Sequence, residues 1–570
     1  MTTINCDLNG ESFCRGTSIT QTISDRNNSS ADRTFTWSFP ECYIGFYADG
    51  VSPWIAPLVK GDSIAVSLSV SSSTEIVTDN IVIENPTNVP SEYGNDQVSD
   101  SPQGWFPDHE DYDASLRLSL PYAASGKTSL MALGELSPRS NAGTGYNRTR
   151  GQALGFTVLT VEEVPGDYTK KIRPNATSTK KHDLWLNQLD LSLFPSSSLF
   201  TGTTSADRLD IAERWAYTFE SQGMQTAGEF LRAVRSQGLV SDYASTAARQ
   251  WYDDVFSLMS DAQTIAQKTP AIASLLAYAL DTYAALETGL LPGSGAGQHT
   301  GKLPSLLLLG ALAKSDKYQS KIKGWIADID PFVGNGGFQE IQQLRGHYSD
   351  PIHGDDRVQF GRLREYWSPI AGGFCFNNAQ TDFPGTVCEP NSGNKASFDP
   401  HYFIDGPPRQ SGATGAAESY IPVTLGPQRA LYTLVKLMDK ARQILEVIDD
   451  RVVRYVERYD DHGVRAAPDI CAPPDPRENF DPNNGAVCNP YHPFLDDETR
   501  TKAEIQTATN CVYIMDTWGP QENDRSKCIL NNSGTNTGQT GRFSDRDGTA
   551  MTPLNTSAQV ESNWTAIRNL

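Results

Sequence analysis

The stretch LRGHYSDPIHGDDRVQFGRLREYW, residues 344–367, concentrates groups able to move protons and grip anions. It holds His347 and His353, two of the chain's eight histidines, with Tyr348, Tyr366, Trp367, Arg345, Arg357, Arg364, Asp355 and Asp356. Aromatic faces stack on apolar sugar faces, Arg holds a carboxylate through two parallel N–H groups, and His with Tyr exchanges protons near neutral pH. The plain alternative is a solvated loop whose charges pair among themselves.

A second stretch, LPGSGAGQHTGKLPSLLLLGAL at 291–312, has the look of a phosphate-binding loop. Such a loop needs Gly, four residues, then Gly-Lys-Ser/Thr. Five residues before Gly301 stands Ala296, Lys302 is followed by Leu303, and the segment upstream has helical spacing rather than that of a strand. What remains is a glycine-rich turn between two apolar helices. It carries Gln298, His299 and Thr300, which either place a proton acceptor and an amide donor on the wall of a cleft or leave His299 capping the following helix or facing water.

Together these residues fit β-elimination on an acidic polysaccharide. That reaction needs the uronate carboxylate neutralised, a proton taken from the neighbouring carbon and a proton given to the leaving oxygen. Arg345 or Arg364 with Gln298 serves the first need, His299 or His347 the second, and Tyr348 or Tyr366 the third, with Trp367 as a sugar platform. A hydrolase would instead need two carboxylates about 5 to 9.5 Å apart, for which Asp355, Asp356 and Glu365 are candidates.

Metal and cofactor motifs are thin. His353, Asp355 and Asp356 lack a second His at ligand spacing. Oxygen donors at Asp481 and at Asp545 and Asp547 are of the kind calcium takes, but neither run completes an EF-hand loop. No GxSxG elbow, HExxH or dinucleotide glycine fingerprint occurs, and no cofactor is expected.

With 47 Lys and Arg against 68 Asp and Glu, the formal charge is −21. No basic run is present, so nucleic acid is repelled at long range and is not an expected partner. No apolar run approaches the length of a membrane span, so a soluble protein is expected. Cys375 with Cys388, Cys471 with Cys488 and Cys511 with Cys528 bracket short turn-rich loops, as local disulfides do. Cys6 with Cys14 is a further candidate pair, which leaves Cys42 odd. The N-terminus has neither a basic nor an apolar signal region, so the expectation is a secreted protein with its signal removed, or a virion component released by lysis. Sequons occur at Asn147 and Asn175, at a frequency that chance explains.

The elements that would position these groups follow from periodicity. Alternating runs between about 34 and 162, such as TFTWSF, SIAVSLSV and LGFTVLTVEEV, predict an antiparallel β-sandwich within residues 1–165, expected to fold by itself. The Lys-bearing stretch PGDYTKKIRPNATSTKKHD predicts a polar linker, and LWLNQLDLSLF a docking segment, together 166–205. From 206 to 463 helical spacing takes over, with Gly223 and Gly238 as stops and Pro270 and Pro304 as starts. Short-linked helix pairs predict an (α/α) toroid-like domain. A helix predicted over 428–459 carries a heptad stripe, Leu431, Leu434, Met438, Ala441, Leu445 and onward. That stripe fits either a homo-oligomer through this helix or burial in its own domain, the latter favoured by the flanking Val435, Ile444 and Val447. Residues 464–570 read as a loop-rich, disulfide-bearing covering segment.

This layout resembles the polysaccharide lyases of the alginate-lyase and heparinase type, with the domain order rearranged. Those enzymes carry an Asn-His pair on the cleft. Gln298-His299 is the nearest match here, with Gln in place of Asn. The resemblance implies catalysis in a cleft of the helical domain. The chain is also similar to uncharacterised bacterial and phage-encoded proteins with a glycine-histidine loop before an apolar helix, which imply no activity. The second functional reading is therefore a non-catalytic structural or glycan-binding protein of a virion or cell surface.

Overall fold

Apolar side chains at every second position lay down the first part of the chain as strands. The structure, a computed structural model, describes residues 2–6, 13–23, 33–72, 81–86, 113–138, 151–221, 232–235, 244–287, 298–327, 365–368, 373–376, 387–390, 421–445, 453, 456, 460, 486–487, 511–512 and 556–570. Nine strands form one sheet: β1 (Thr2–Ile4), β2 (Phe13–Ile23), β3 (Arg33–Phe46), β4 (Pro53–Ala56), β5 (Ile64–Ser72), β6 (Ile81–Glu84), β7 (Tyr122–Ala124), β8 (Thr128–Pro138) and β9 (Gly151–Val161). Among the alternating runs between 34 and 162, ASLRLSL (114–120) also predicts a strand, but it opens instead with a 3-10 turn, Ala114–Leu116, capped by Asp113.

Strand β3 organises the sheet. Along one edge it pairs with β2; along the other, residues 33–38 pair with β5 and residues 43–46 with β4. From β4 the sheet runs on through β9, β8 and β6, and from β5 to β7. Ile19, Phe35 and Trp37 of one branch share a core with Val82, Leu130 and Leu159 of the other. The sheet is mixed rather than wholly antiparallel, because β4 and β9 run parallel. Gly16 sits at a register shift between β2 and β3, where a Cβ would stand 2.1 Å from Ile44 Cδ1. Only glycine allows that approach.

The opposite face of β6, β8 and β9 is also covered. Ile83, Met131, Phe156 and Val158 pack with Ala176 and with Ala212, Ala216 and Tyr217, at the end of α1 (Ser205–Ala216). Tyr217 OH accepts from Gln21 Nε2 at 3.0 Å and donates to the Val51 carbonyl at 3.1 Å, which fixes α1 to the sheet. Helix α1 starts at a capping box in which Thr204 and Asp207 bond each other's backbone N–H groups.

The helices that follow are α2 (Ala244–Leu258), α3 (Ile265–Glu287), α4 (Gln298–Leu312), α5 (Asp316–Ala327), α6 (Ile421–Leu437), α7 (Asp439–Ile444) and α8 (Ala558–Arg568). Helix α3 is apolar all round and buried from Ala271 to Leu286, as expected of a helix surrounded by others. Helices α1, α2 and α4 pack against it. Pro270 and Pro304, predicted as helix starts, lie inside α3 and α4, which begin one to two turns earlier. The helical spacing between the predicted stops Gly223 and Gly238, in TAGEFLRAVRSQG, gives way at Arg232–Arg235 to a strand, β13, paired antiparallel with β12 (Thr218–Ser221). Contacts of this hairpin with α3 and β9 override its weak helical preference.

Two further expectations change. The helix predicted over 428–459 breaks at Met438, whose backbone is extended, giving α6 and α7. Its stripe of Leu431, Leu434, Met438, Ala441 and Leu445 is buried in the chain's own core. This described part of the stripe is thus covered within the chain, and its continuation through Ile448, Val452, Tyr455 and Tyr459 lies outside the described residues. The covering segment 464–570 ends in a regular helix, α8, with Val560 and Ile567 buried in the same core. Of the predicted linker, Lys171, Arg173, Asn175, Thr177 and His182 are buried, so this stretch is packed rather than solvated.

Candidate functional site

The residues nominated from sequence fall into three groups. Gln298, His299 and Thr300 form the first turn of α4, not a free loop. The chain is already helical there because Leu303 and Leu306 to Leu309 bury one continuous apolar run against α2 and α3. Tyr366 and Trp367 lie on β14 (Glu365–Ser368), which pairs with β15 (Gly373–Phe376), itself paired with β16 (Val387–Pro390). The register sets Tyr366 opposite Cys375, Trp367 opposite Phe374, and Cys375 opposite Cys388. Arg345, His347, Tyr348 and Arg364, with Asp355 and Asp356, lie outside the described residues, as do Asp481, Asp545 and Asp547. So do Cys471, Cys488 and Cys528. Their convergence with His299 on one cleft therefore has no counterpart among the described contacts.

What the structure does assemble is a polar seam that sequence reasoning treated as a linker. The connection after β9 forms β10 (Lys171–Ile172) and β11 (Leu184–Trp185), an antiparallel pair. Its cationic side chains turn inward in three directions.

Toward the sheet, Lys171 Nζ lies 2.6 Å from Glu162 Oε1 and 2.8 Å from Asp183 Oδ1. Tyr47 OH donates to the same Glu162 oxygen at 2.6 Å, and Lys127, just before β8, pairs with Asp183. The rings of Tyr168 and Trp185 flank the Lys171 ammonium at 5.1 and 5.9 Å from their centroids. Burial lowers the Lys171 pKa against the pull of Glu162 and Asp183. Burial together with the Glu162 charge pushes the Tyr47 hydroxyl well up.

Toward α3, Arg173 Nη2 meets Asp281 Oδ2 at 2.7 Å, both side chains being almost wholly buried. The Ala176 N–H donates to Asp281 Oδ1 at 2.6 Å. Burial pushes the Asp281 carboxyl up, and Arg173 opposes it. Lys181 Nζ donates to the carbonyls of Asn175 and Ala176 at 2.7 and 3.0 Å and to Ser129 Oγ of β8 at 3.0 Å. Burial brings Lys181 down to about 7 against the pull of the Asp281 charge. Asn175 is buried, its amide held by the His182 N–H and the Lys180 carbonyl, so this sequon serves the fold.

At the far end, His182 Nε2 lies 2.8 Å from Glu287 Oε2 and the His182 ring meets Tyr283 edge-on at 5.1 Å. Lys317 Nζ of α5 lies 3.4 Å from His182 Nδ1. One signal in the sequence points to this seam. Asp281 is the one acid in the apolar run AIASLLAYALDTYAAL, and a charge buried in such a helix needs a cation.

The seam has the chemistry of a cross-brace: paired ions, satisfied amides and flanking rings. Among the described residues no group of three or more His, Cys, Asp or Glu is placed to hold a metal ion. No family model, curated protein or solved structure compared with this chain matches it.

Proposed function

We propose that this chain is a non-catalytic scaffold of a virion or cell surface, working in an oxidising, extracellular setting and holding glycans on the aromatic strand β14. The observation that carries the reading is the seam. A single connecting segment sends Lys171 into the sheet through Glu162 and Arg173 into the helices through Asp281, which suits a protein whose task is to keep its parts fixed. The Cys6–Cys14 disulfide supports the compartment, and the adjacent Tyr366 and Trp367 supply the aromatic chemistry that sugars stack on.

Retention of the full chain on immobilised glycans, followed together with ultraviolet absorbance of unsaturated uronate, tests this. Retention without new absorbance is expected, and Trp367→Ala should weaken it by about 1 to 2 kcal/mol, as for one stacked aromatic. Absence of retention on acidic and neutral glycans alike would sink the binding role.

The second reading is a lyase for an acidic glycan, acting in a cleft of a toroid-like helical domain. Gln298 and His299 at the start of α4 favour it, since the leading N–H groups of a helix attract carboxylates. In that reading Gln298 with Arg345 or Arg364 neutralises the uronate, His299 or His347 removes the proton, and Tyr348 or Tyr366 protonates the leaving oxygen. Unsaturated product that disappears in His299→Ala would establish it over the scaffold reading.

A further inference from the structure

We propose that His182 is a pH-sensitive pivot that fixes helix α5 to the seam when neutral and loosens it when protonated. The argument begins with hydrogen-bond roles. Lys317 carries an ammonium, which can only donate, so the His182 Nδ1 that it meets at 3.4 Å must be the unprotonated, accepting nitrogen. The single ring proton then sits on Nε2, beside Glu287 Oε2 at 2.8 Å. A neutral imidazole thus stands between a cation on α5 and an anion on α3. Acid adds its proton at Nδ1, and a donor is then set against a donor and a positive ring against a positive ammonium.

The charged and titratable groups described around the ring come from three elements. From α3 come Glu287 and Tyr283, from α5 Lys317 and Tyr318, and from the seam itself Lys180, which lies 2.9 Å from Glu287 Oε2. Glu287 favours the imidazolium, while Lys317 and Lys180 oppose it, and burial opposes it most. The net direction is downward from the ordinary value of 6.5. The unfolded or undocked state therefore binds the proton first. The contribution of His182 is fully present above about pH 6.5 and is lost as pH falls from there through the lower folded value.

The remaining attachments of α5 explain why the effect should be local. Tyr318 meets the Tyr283 ring edge-on at 5.0 Å, Trp325 meets it tilted at 5.1 Å, and Ile322 and Ile326 are buried. The same Tyr283 ring meets His182, so a shift of the imidazole reaches both aromatic side chains of α5 through one shared neighbour.

The test is hydrogen exchange on the full chain at about pH 7.5 and about pH 5.5, expressed as protection factors so that the intrinsic pH dependence cancels. Protection of Asp316–Ala327 is expected to fall several-fold in acid, while α1 changes little. In His182→Gln, which removes the titration, the acid-dependent fall should vanish, and in Lys317→Met, which removes the opposing ammonium but leaves the buried ring, it should shrink. An unchanged wild-type α5, or an equal fall in either variant, overturns the proposal. Should His182→Gln fail to fold, Lys317→Met alone still decides it.

Discussion

At the scale of single residues, Asp281 shows how a buried charge is tolerated. It accepts from the Arg173 guanidinium and from the Ala176 N–H, while Arg173 Nε has no partner among the described residues. Arg173→Met strands the carboxylate and should cost about 3 to 5 kcal/mol, whereas Arg173→Met with Asp281→Leu should recover most of the loss, since an apolar pair avoids desolvation altogether. Chemical denaturation of the three proteins checks both values, and a double variant as unstable as the single one would count against the pairing. The sequence exposes half of this interaction: a lone acid in an apolar helix demands a cation. It cannot say which, because Arg173 lies 108 positions away in a stretch whose lysines read as solvated. Likewise Gln298 and His299 are legible as unusual, but their place in the first turn of α4 rests on a leucine run whose helix begins before Pro304.

At the scale of elements, the terminal helix α8 is held by Arg429, which pairs with Glu561 and Asp460 and lies over the Trp564 ring at 4.9 Å. Ser557 Oγ donates to Asp253 of α2 at 2.6 Å. A chain ending at 555 loses these contacts and the burial of Val560 and Ile567. It should be destabilised by about 3 to 6 kcal/mol on the side-chain burial scale, and a peptide of residues 556–570 should restore the melting temperature; no change on truncation would refute the docking. The Cys6–Cys14 link closes a loop with a sequence separation of 8, and Cys14→Ser should cost about 2 to 3 kcal/mol by chain entropy. Peptide mapping should find that pair joined. Cys42 should be alkylated only after unfolding, because it is buried and its thiol is pushed up to about 12. Strands were the most legible elements, since Phe35, Trp37 and Phe39 alternate with polar residues as a half-buried strand requires. The break at Met438 and the β12–β13 hairpin were not, because both are decided by what packs against them rather than by local pattern.

At the scale of the whole molecule, the sheet and the helices share two kinds of contact, and both make them one body. Ile83, Met131, Phe156 and Val158 meet α1 and Ala176 on the outer face of the sheet, and the seam adds Lys171–Glu162 on one side and Arg173–Asp281 on the other. Residues 1–165 alone would expose that apolar face, so they are expected to aggregate or to unfold without a sharp transition, against the independent domain that alternation by itself predicts. Circular dichroism of that fragment checks it. The most direct measurement of the cross-braced scaffold is calorimetry of the full chain beside Arg173→Met. The account predicts one unfolding peak that moves as a whole to lower temperature in the variant. Two separate peaks, with only the helical one displaced, would contradict it.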